Sequence, residues 1–83
     1  MNEKEELVQE LEQELKWVKY RQRMLDIIER KLIEMKQLSE LARDEGLTTE
    51  ELEAVNNRVK NLLGQVKAID SESRKIEDEK TLE

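Results

Sequence analysis

The sequence has 83 residues and a formal net charge of −6, with 43% of its residues charged and 2% aromatic. A chain of this length has room for one small domain, and chains of about 80 residues or fewer rarely form a stable core without a disulfide, a metal or a partner. Cysteine and histidine are both absent, which excludes disulfides, thiol nucleophiles and thiolate or imidazole metal sites. We therefore expect no cofactor, and the acidic charge disfavours binding to nucleic acid or to an anionic membrane.

The hydropathy pattern indicates no membrane segment. No apolar run approaches the roughly 18 residues that span a bilayer, and the acidic N-terminus lacks the basic start and apolar core of a signal peptide. The sequence therefore predicts a cytoplasmic protein.

The first predicted helix covers about residues 3–44. Asn2 can cap its N-terminus, and three early glutamates place negative charge in the first turn, where the helix dipole favours it. A seven-residue apolar series runs along the helix, formed by Leu11, Val18, Leu25 and Leu32. Gln22 falls on the early part of this stripe, where a polar residue can set the register of a coiled coil. The stripe shifts sideways between Leu25 and Ile28, as at a stammer, and beyond that point the apolar face widens.

Residues 45–48 form the predicted turn. Gly46 is expected to adopt the left-handed conformation that ends a helix, and Thr48 with Glu51 matches a capping box that opens the second helix. That helix is predicted over about residues 49–77, and its apolar residues alternate at steps of three and four: Leu52, Val55, Val59, Leu62, Val66, Ile69 and Ile76. Such a stripe must be buried against another helix. Residues 78–83 have no apolar repeat and are predicted to fray.

The predicted fold class is all-α, an antiparallel two-helix hairpin of the coiled-coil type. A short turn forces the helices antiparallel and sets Ile28 near Val66. Because a lone hairpin cannot enclose a core, we expect the wide face from Met24 to Ala42 to remain uncovered. Dimerisation into a four-helix bundle would cover it, so a homodimer is predicted, and the alternative is a different, unidentified protein partner. The predicted anchors of this partner-binding or oligomer interface are Trp17, Tyr20, Met24, Ile28, Met35 and Leu38.

The segment from Lys16 to Arg23 is a local anomaly in composition. It holds both aromatic residues, Trp17 and Tyr20, and four of the 15 basic residues, with no acid among them. Three hypotheses remain open: the aromatics complete the packing at the far end of the hairpin, the segment docks a protein, or it holds nucleic acid. The net charge weighs against the last.

Residues 33–69 resemble the helical segment that follows the N-terminal helix of bacterial flagellins. Met35-Lys36-Gln37-Leu38-Ser39-Glu40-Leu41-Ala42 is similar to that family's Met-Arg-Glu-Leu-Ala-Val-Gln-Ala stretch. The turn Gly46-Leu47-Thr48 and the later apolar residues fall at matching intervals. The resemblance implies a bacterial, flagellum-associated or filament-like helical scaffold.

A second resemblance is to the Spo0E-like family of sporulation phosphatases, which are small helical hairpins acting on phosphorylated response regulators. The shared features are the short turn and the acidic start of the second helix. The family's Ser-Gln-Glu-Leu-Asp signature would fall on residues 56–60, where Lys60 replaces the functional aspartate. This resemblance implies a regulatory phosphatase as the alternative function.

The pattern as a whole favours a non-enzymatic helical protein–protein interaction module, such as a scaffold, an adaptor or a chaperone. Its mechanism is helix-on-helix recognition, in which apolar anchors supply affinity and charges select the partner. No catalytic residue is predicted, because neighbouring acid pairs such as Glu50 and Glu51 point different ways around a helix.

Overall fold

Two helices account for nearly all of the described chain, which comprises residues 2–44 and 46–74 of a computed structural model. Helix α1 spans Glu3–Asp44 and helix α2 spans Thr49–Ser73. The helices pack side by side in an elongated molecule with principal extents of 68 × 22 × 14 Å. The prediction of an all-α hairpin is confirmed, and the described ranges contain no strand.

Local hydrogen bonds start α1 as the sequence predicts. The amide of Glu5 donates to Oδ1 of Asn2 over 2.9 Å, and the amide of Glu6 donates to the Asn2 carbonyl over 3.1 Å. The Asn2 side chain thereby satisfies one of the amides that the first turn leaves without an intrahelical acceptor, and the Asn2 carbonyl accepts the first intrahelical bond.

The predicted capping box opens α2. The amide of Glu51 donates to Oγ1 of Thr48 over 3.1 Å, and the amide of Thr48 donates to Oε1 of Glu51 over 3.0 Å. A hydrogen bond from the Thr48 backbone, and then one from the Thr48 side chain, lower the pKa of the Glu51 carboxyl below its usual value.

The predicted left-handed conformation of Gly46 stays a prediction, because the φ angle of Gly46 depends on residue 45, which lies outside the described residues. Gly64, within α2, has no positive φ. The chain enters α2 through Thr48, whose extended backbone (φ −70°, ψ 165°) turns it into the new helix.

The described helix α2 ends at Ser73, whereas the periodicity predicts an end near residue 77. The Ser73 hydroxyl donates to the carbonyl of Ile69 over 2.8 Å, and Arg74 leaves the helical region at φ −85° and ψ 71°. The predictions for Ile76 and for a frayed tail over residues 78–83 lie outside the described residues.

The face of α1 that packs on α2 is the wide one. Ile28 of α1 is 8% exposed and Leu62 of α2 is fully buried. Half-buried apolar residues surround Ile28 on the same face of α1, namely Trp17, Tyr20, Met24, Ile27, Met35, Leu38 and Ala42. The expectation that this face stays uncovered is therefore wrong within one chain, because α2 packs against it.

Polar pairs at the edges of this interface fix its register. Nζ of Lys31 donates to Oε1 of Gln65 over 2.6 Å, and the Arg58 guanidinium contacts the Glu34 carboxylate over 3.0 Å. Lys31 and Gln65 lie close to the predicted pairing of Ile28 with Val66.

The N-terminal part of α1 extends beyond the described part of α2. The last helical residue described in α2, Ser73, accepts a hydrogen bond from Arg21, so residues 3–20 of α1 lie N-terminal to the level of that end. We call residues 3–20 the N-terminal arm. Every arm residue before Trp17 is exposed.

Candidate interaction surface

The six predicted interface anchors all lie on the face of α1 that turns towards α2. Ile28 is buried, and Trp17, Tyr20, Met24, Met35 and Leu38 are half-buried. The structure brings them together as one face, but a single chain already covers part of it. Whether they also contact another chain stays a prediction.

The aromatic and basic segment divides between two sides of α1. Arg21 turns towards α2 with 18% of its side chain exposed, whereas Lys16, Lys19 and Arg23 are exposed. Together with the half-buried Trp17, this arrangement favours the packing hypothesis for the inward side of the segment.

Arg21 of α1 connects the two helices at the end of α2. Its guanidinium contacts the Asp70 carboxylate over 2.9 Å and also donates to the Asp70 carbonyl over 3.4 Å and to the Ser73 hydroxyl. Arg74 binds the second carboxylate oxygen of Asp70 over 3.0 Å. The hydrogen bonds from Arg21, and then from Arg74, lower the pKa of the Asp70 carboxyl below its usual value.

A row of leucines lies on one side of the hairpin. A shallow groove near the turn is lined by Ser39 of α1 and by Leu52 and Asn56 of α2, so these three residues lie on the same side. Residues seven apart share a side of a helix. Leu32 is seven residues before Ser39, and Leu63 is seven residues after Asn56.

We call this side the apolar side and define it by Leu25, Leu32, Leu52 and Leu63. Each of these side chains is between 39% and 47% exposed. Exposed leucines gathered on one side of a small protein are typical of binding surfaces.

The N-terminal arm carries a second exposed apolar row. Val8, Leu11, Leu15 and Val18, which we call the arm seam, are between 39% and 59% exposed. Their steps of three, four and three residues place them on one side of the helix, in the pattern of a coiled-coil seam.

The sequence contains the signal for both rows, because two apolar series run along α1. The residues Leu11, Val18, Leu25 and Leu32 of the first series are all exposed. The competing series through Ile28 faces α2 instead.

The described ranges also show where the residues of the other candidate sites lie. They contain no group of three or more Asp and Glu side chains placed to hold a metal ion. Within residues 56–60, where the phosphatase signature would fall, Asn56, Asn57 and Lys60 are exposed, and Arg58 pairs with Glu34.

Neither α1 nor α2 combines the length and the apolar character that a membrane crossing requires. The fold and its surface define the class: a two-helix hairpin with one apolar side and a projecting helical arm. Comparisons with protein-family models, curated proteins and solved structures found no match for this chain.

Proposed function

We propose that this protein is a non-enzymatic helical interaction module that binds a helix of another polypeptide along its apolar side. The observation that carries the proposal is the row of exposed leucines that crosses both helices. An amphipathic helix laid against such a row buries its own apolar face in the groove between α1 and α2.

A second hairpin fits this proposal, since two apolar sides placed together give a four-helix bundle. Burying the remaining surface of each leucine would contribute roughly 1 kcal/mol. Eight leucines in a symmetric pair then supply about 8 kcal/mol, which is of the same order as the entropic cost of association. The apolar side alone therefore supports a weak dimer, and a heterologous partner can compete for it.

The resemblance of residues 33–69 to the flagellin segment favours a scaffold among the possible roles. In such a role the hairpin adds its helices to a larger helical assembly. The exposed charges around the leucines would select the partner and the register.

A photo-crosslinking amino acid at position 32 tests this proposal. Leu32 lies on the apolar side, and Arg30 is the matched control because it is exposed and lies about 200° around the same helix. We expect covalent adducts at position 32, in purified protein or in cells of the source organism, at several times the yield at position 30. Equal yields at the two positions, or none at either, would contradict the proposal.

A further inference from the structure

We propose that the N-terminal arm pairs antiparallel with the arm of a second copy of this chain, through the arm seam. This inference rests on the proposed function, because it names the partner for one part of the exposed surface. It differs from the apolar-side proposal because its seam lies mostly on the arm, and only Leu25 belongs to both surfaces.

Within residues 2–44 and 46–74, the arm seam is a coiled-coil stripe that no second helix covers. Val8, Leu11, Leu15 and Val18 are exposed, and the described helix α2 ends level with Arg21. The same spacing continues through Gln22 to Leu25, so the seam is six positions long. A helix of this kind needs a second helix to cover its stripe.

The charge distribution of α1 selects a second copy in the antiparallel direction. Residues 3–14 contain six glutamates and one lysine, whereas residues 16–23 contain four basic residues and no acid. Parallel pairing would set the acidic halves of the two arms side by side and the basic halves side by side. Antiparallel pairing sets the acidic half of each arm against the basic half of the other, which steers the encounter and fixes the orientation.

The register of the two arms is fixed if all six seam positions of one copy pair with those of the other. Val8 then lies opposite Leu25 of the second copy, Leu15 opposite Val18, and Leu11 opposite Gln22, the polar position of the seam. Each a-type position faces a d-type position, as antiparallel coiled coils require.

Charges that flank the seam favour this register over its neighbours. It places Glu12 beside Lys19 of the second copy, and the symmetry of the dimer makes that pair twice. A shift of one heptad in either direction sets Glu12 against Glu12 or against Asp26. The chosen register has one like-charge pair, Glu5 with Asp26, at each end of the seam, where solvent screens it.

Cysteine crosslinking tests the direction and the register directly. Because the sequence contains no cysteine, single-cysteine variants of the full chain form only the disulfides that the new residues allow. Val8→Cys and Leu25→Cys are mixed in equal amounts and oxidised under mild conditions. We expect a covalent heterodimer in the mixture, while Val8→Cys alone stays monomeric on a denaturing gel because its two copies lie about 25 Å apart.

Gln13→Cys is the matched control, since Gln13 is exposed on the opposite side of the arm. Its mixture with Leu25→Cys should give several-fold less heterodimer. Efficient crosslinking of Val8→Cys alone would show parallel arms and overturn the inference. The inference is also overturned if the mixture of Val8→Cys and Leu25→Cys gives no more heterodimer than the mixture with the Gln13→Cys control. In either case, photo-crosslinked adducts at position 32 would still support the proposed function.

A charge exchange provides a second test that leaves the fold of the hairpin unaffected. Glu12→Lys should weaken the dimer roughly tenfold, because two opposite-charge pairs become like-charge pairs. Adding Lys19→Glu should restore the dimerisation constant measured by analytical ultracentrifugation. Failure of the double variant to recover any affinity would overturn the register.

Discussion

Truncation of two adjacent leucines in α2 gives a sharp test of which face is buried. Leu62 is fully buried and its neighbour Leu63 is 39% exposed. Leu→Ala removes the equivalent of three methylene groups, worth about 2.4 kcal/mol of transfer free energy when the side chain is fully buried. The residual cavity adds to this, so Leu62→Ala should lower the free energy of unfolding by about 3 kcal/mol.

That loss is large for so small a protein. A chain of 83 residues has a total stability of about 4–12 kcal/mol at the usual free energy per residue, so Leu62→Ala removes a quarter or more of it. Leu63→Ala should lower the free energy of unfolding by less than about 1 kcal/mol, because its side chain already contacts water and alanine is an equally good helix former.

The assay is urea unfolding followed by far-ultraviolet circular dichroism at low protein concentration, where association contributes least. The reasoning is refuted if the two variants lose the same free energy, since α2 would then face α1 through a different stripe. Repeating the measurement at high concentration adds a second readout. If the apolar side is buried in a dimer, the loss for Leu63→Ala grows with concentration.

Three further predictions concern the helices themselves. Gly64→Ala should raise the free energy of unfolding by about 0.5–1 kcal/mol, because an added Cβ meets no atom within 4 Å. Thermal melting should show a Tm higher by a few degrees, and a lower Tm would mean that another helix approaches Gly64. Thr48→Ala should lower the free energy of unfolding by about 1 kcal/mol in the same urea assay, because it removes the acceptor for the Glu51 amide. The pKa of the Asp70 carboxyl is lowered in the folded state. The ion pair with Arg21 therefore stabilises the native protein fully above the ordinary carboxyl pKa of about 4, and this stabilisation is lost as the pH falls through the lowered pKa. The stability difference between native protein and Asp70→Asn should therefore shrink as urea titrations move from neutral to strongly acidic pH, and a pH-independent difference would show that the pair does not form.

The sequence predicts the secondary structure and the register well because those features depend on local chemistry. The Asn2 cap and the Thr48–Glu51 capping box each involve residues three apart, so their spacing alone identifies them. A short turn also leaves little choice of register, and the bond between Lys31 and Gln65 agrees with the predicted pairing.

The rotation of α1 about its own axis could not be predicted in the same way. Two apolar series compete on α1, one through Leu25 and one through Ile28, and both have helical spacing. Which of the two series faces α2 depends on contacts between residues distant in sequence, including Arg21 with Asp70 and Glu34 with Arg58. Neither pair has a sequence signature, since each joins residues more than twenty positions apart.

Helix α1 carries two apolar series, and one neighbouring helix can bury only one of them. The face through Ile28 and the row through Leu25 are centred about 110° apart around α1. A single neighbouring helix covers one stripe of this kind, so α2 can serve the first and leaves the second exposed. Retaining the leucine row exposed has no benefit for the folding of one chain, because solvated leucine adds nothing to the core and promotes non-specific association. A second helix from outside the chain, as we propose, explains such a stripe better than the stability of the hairpin does. The charge asymmetry of the N-terminal arm is the reason why we propose a second copy as the partner of the arm seam.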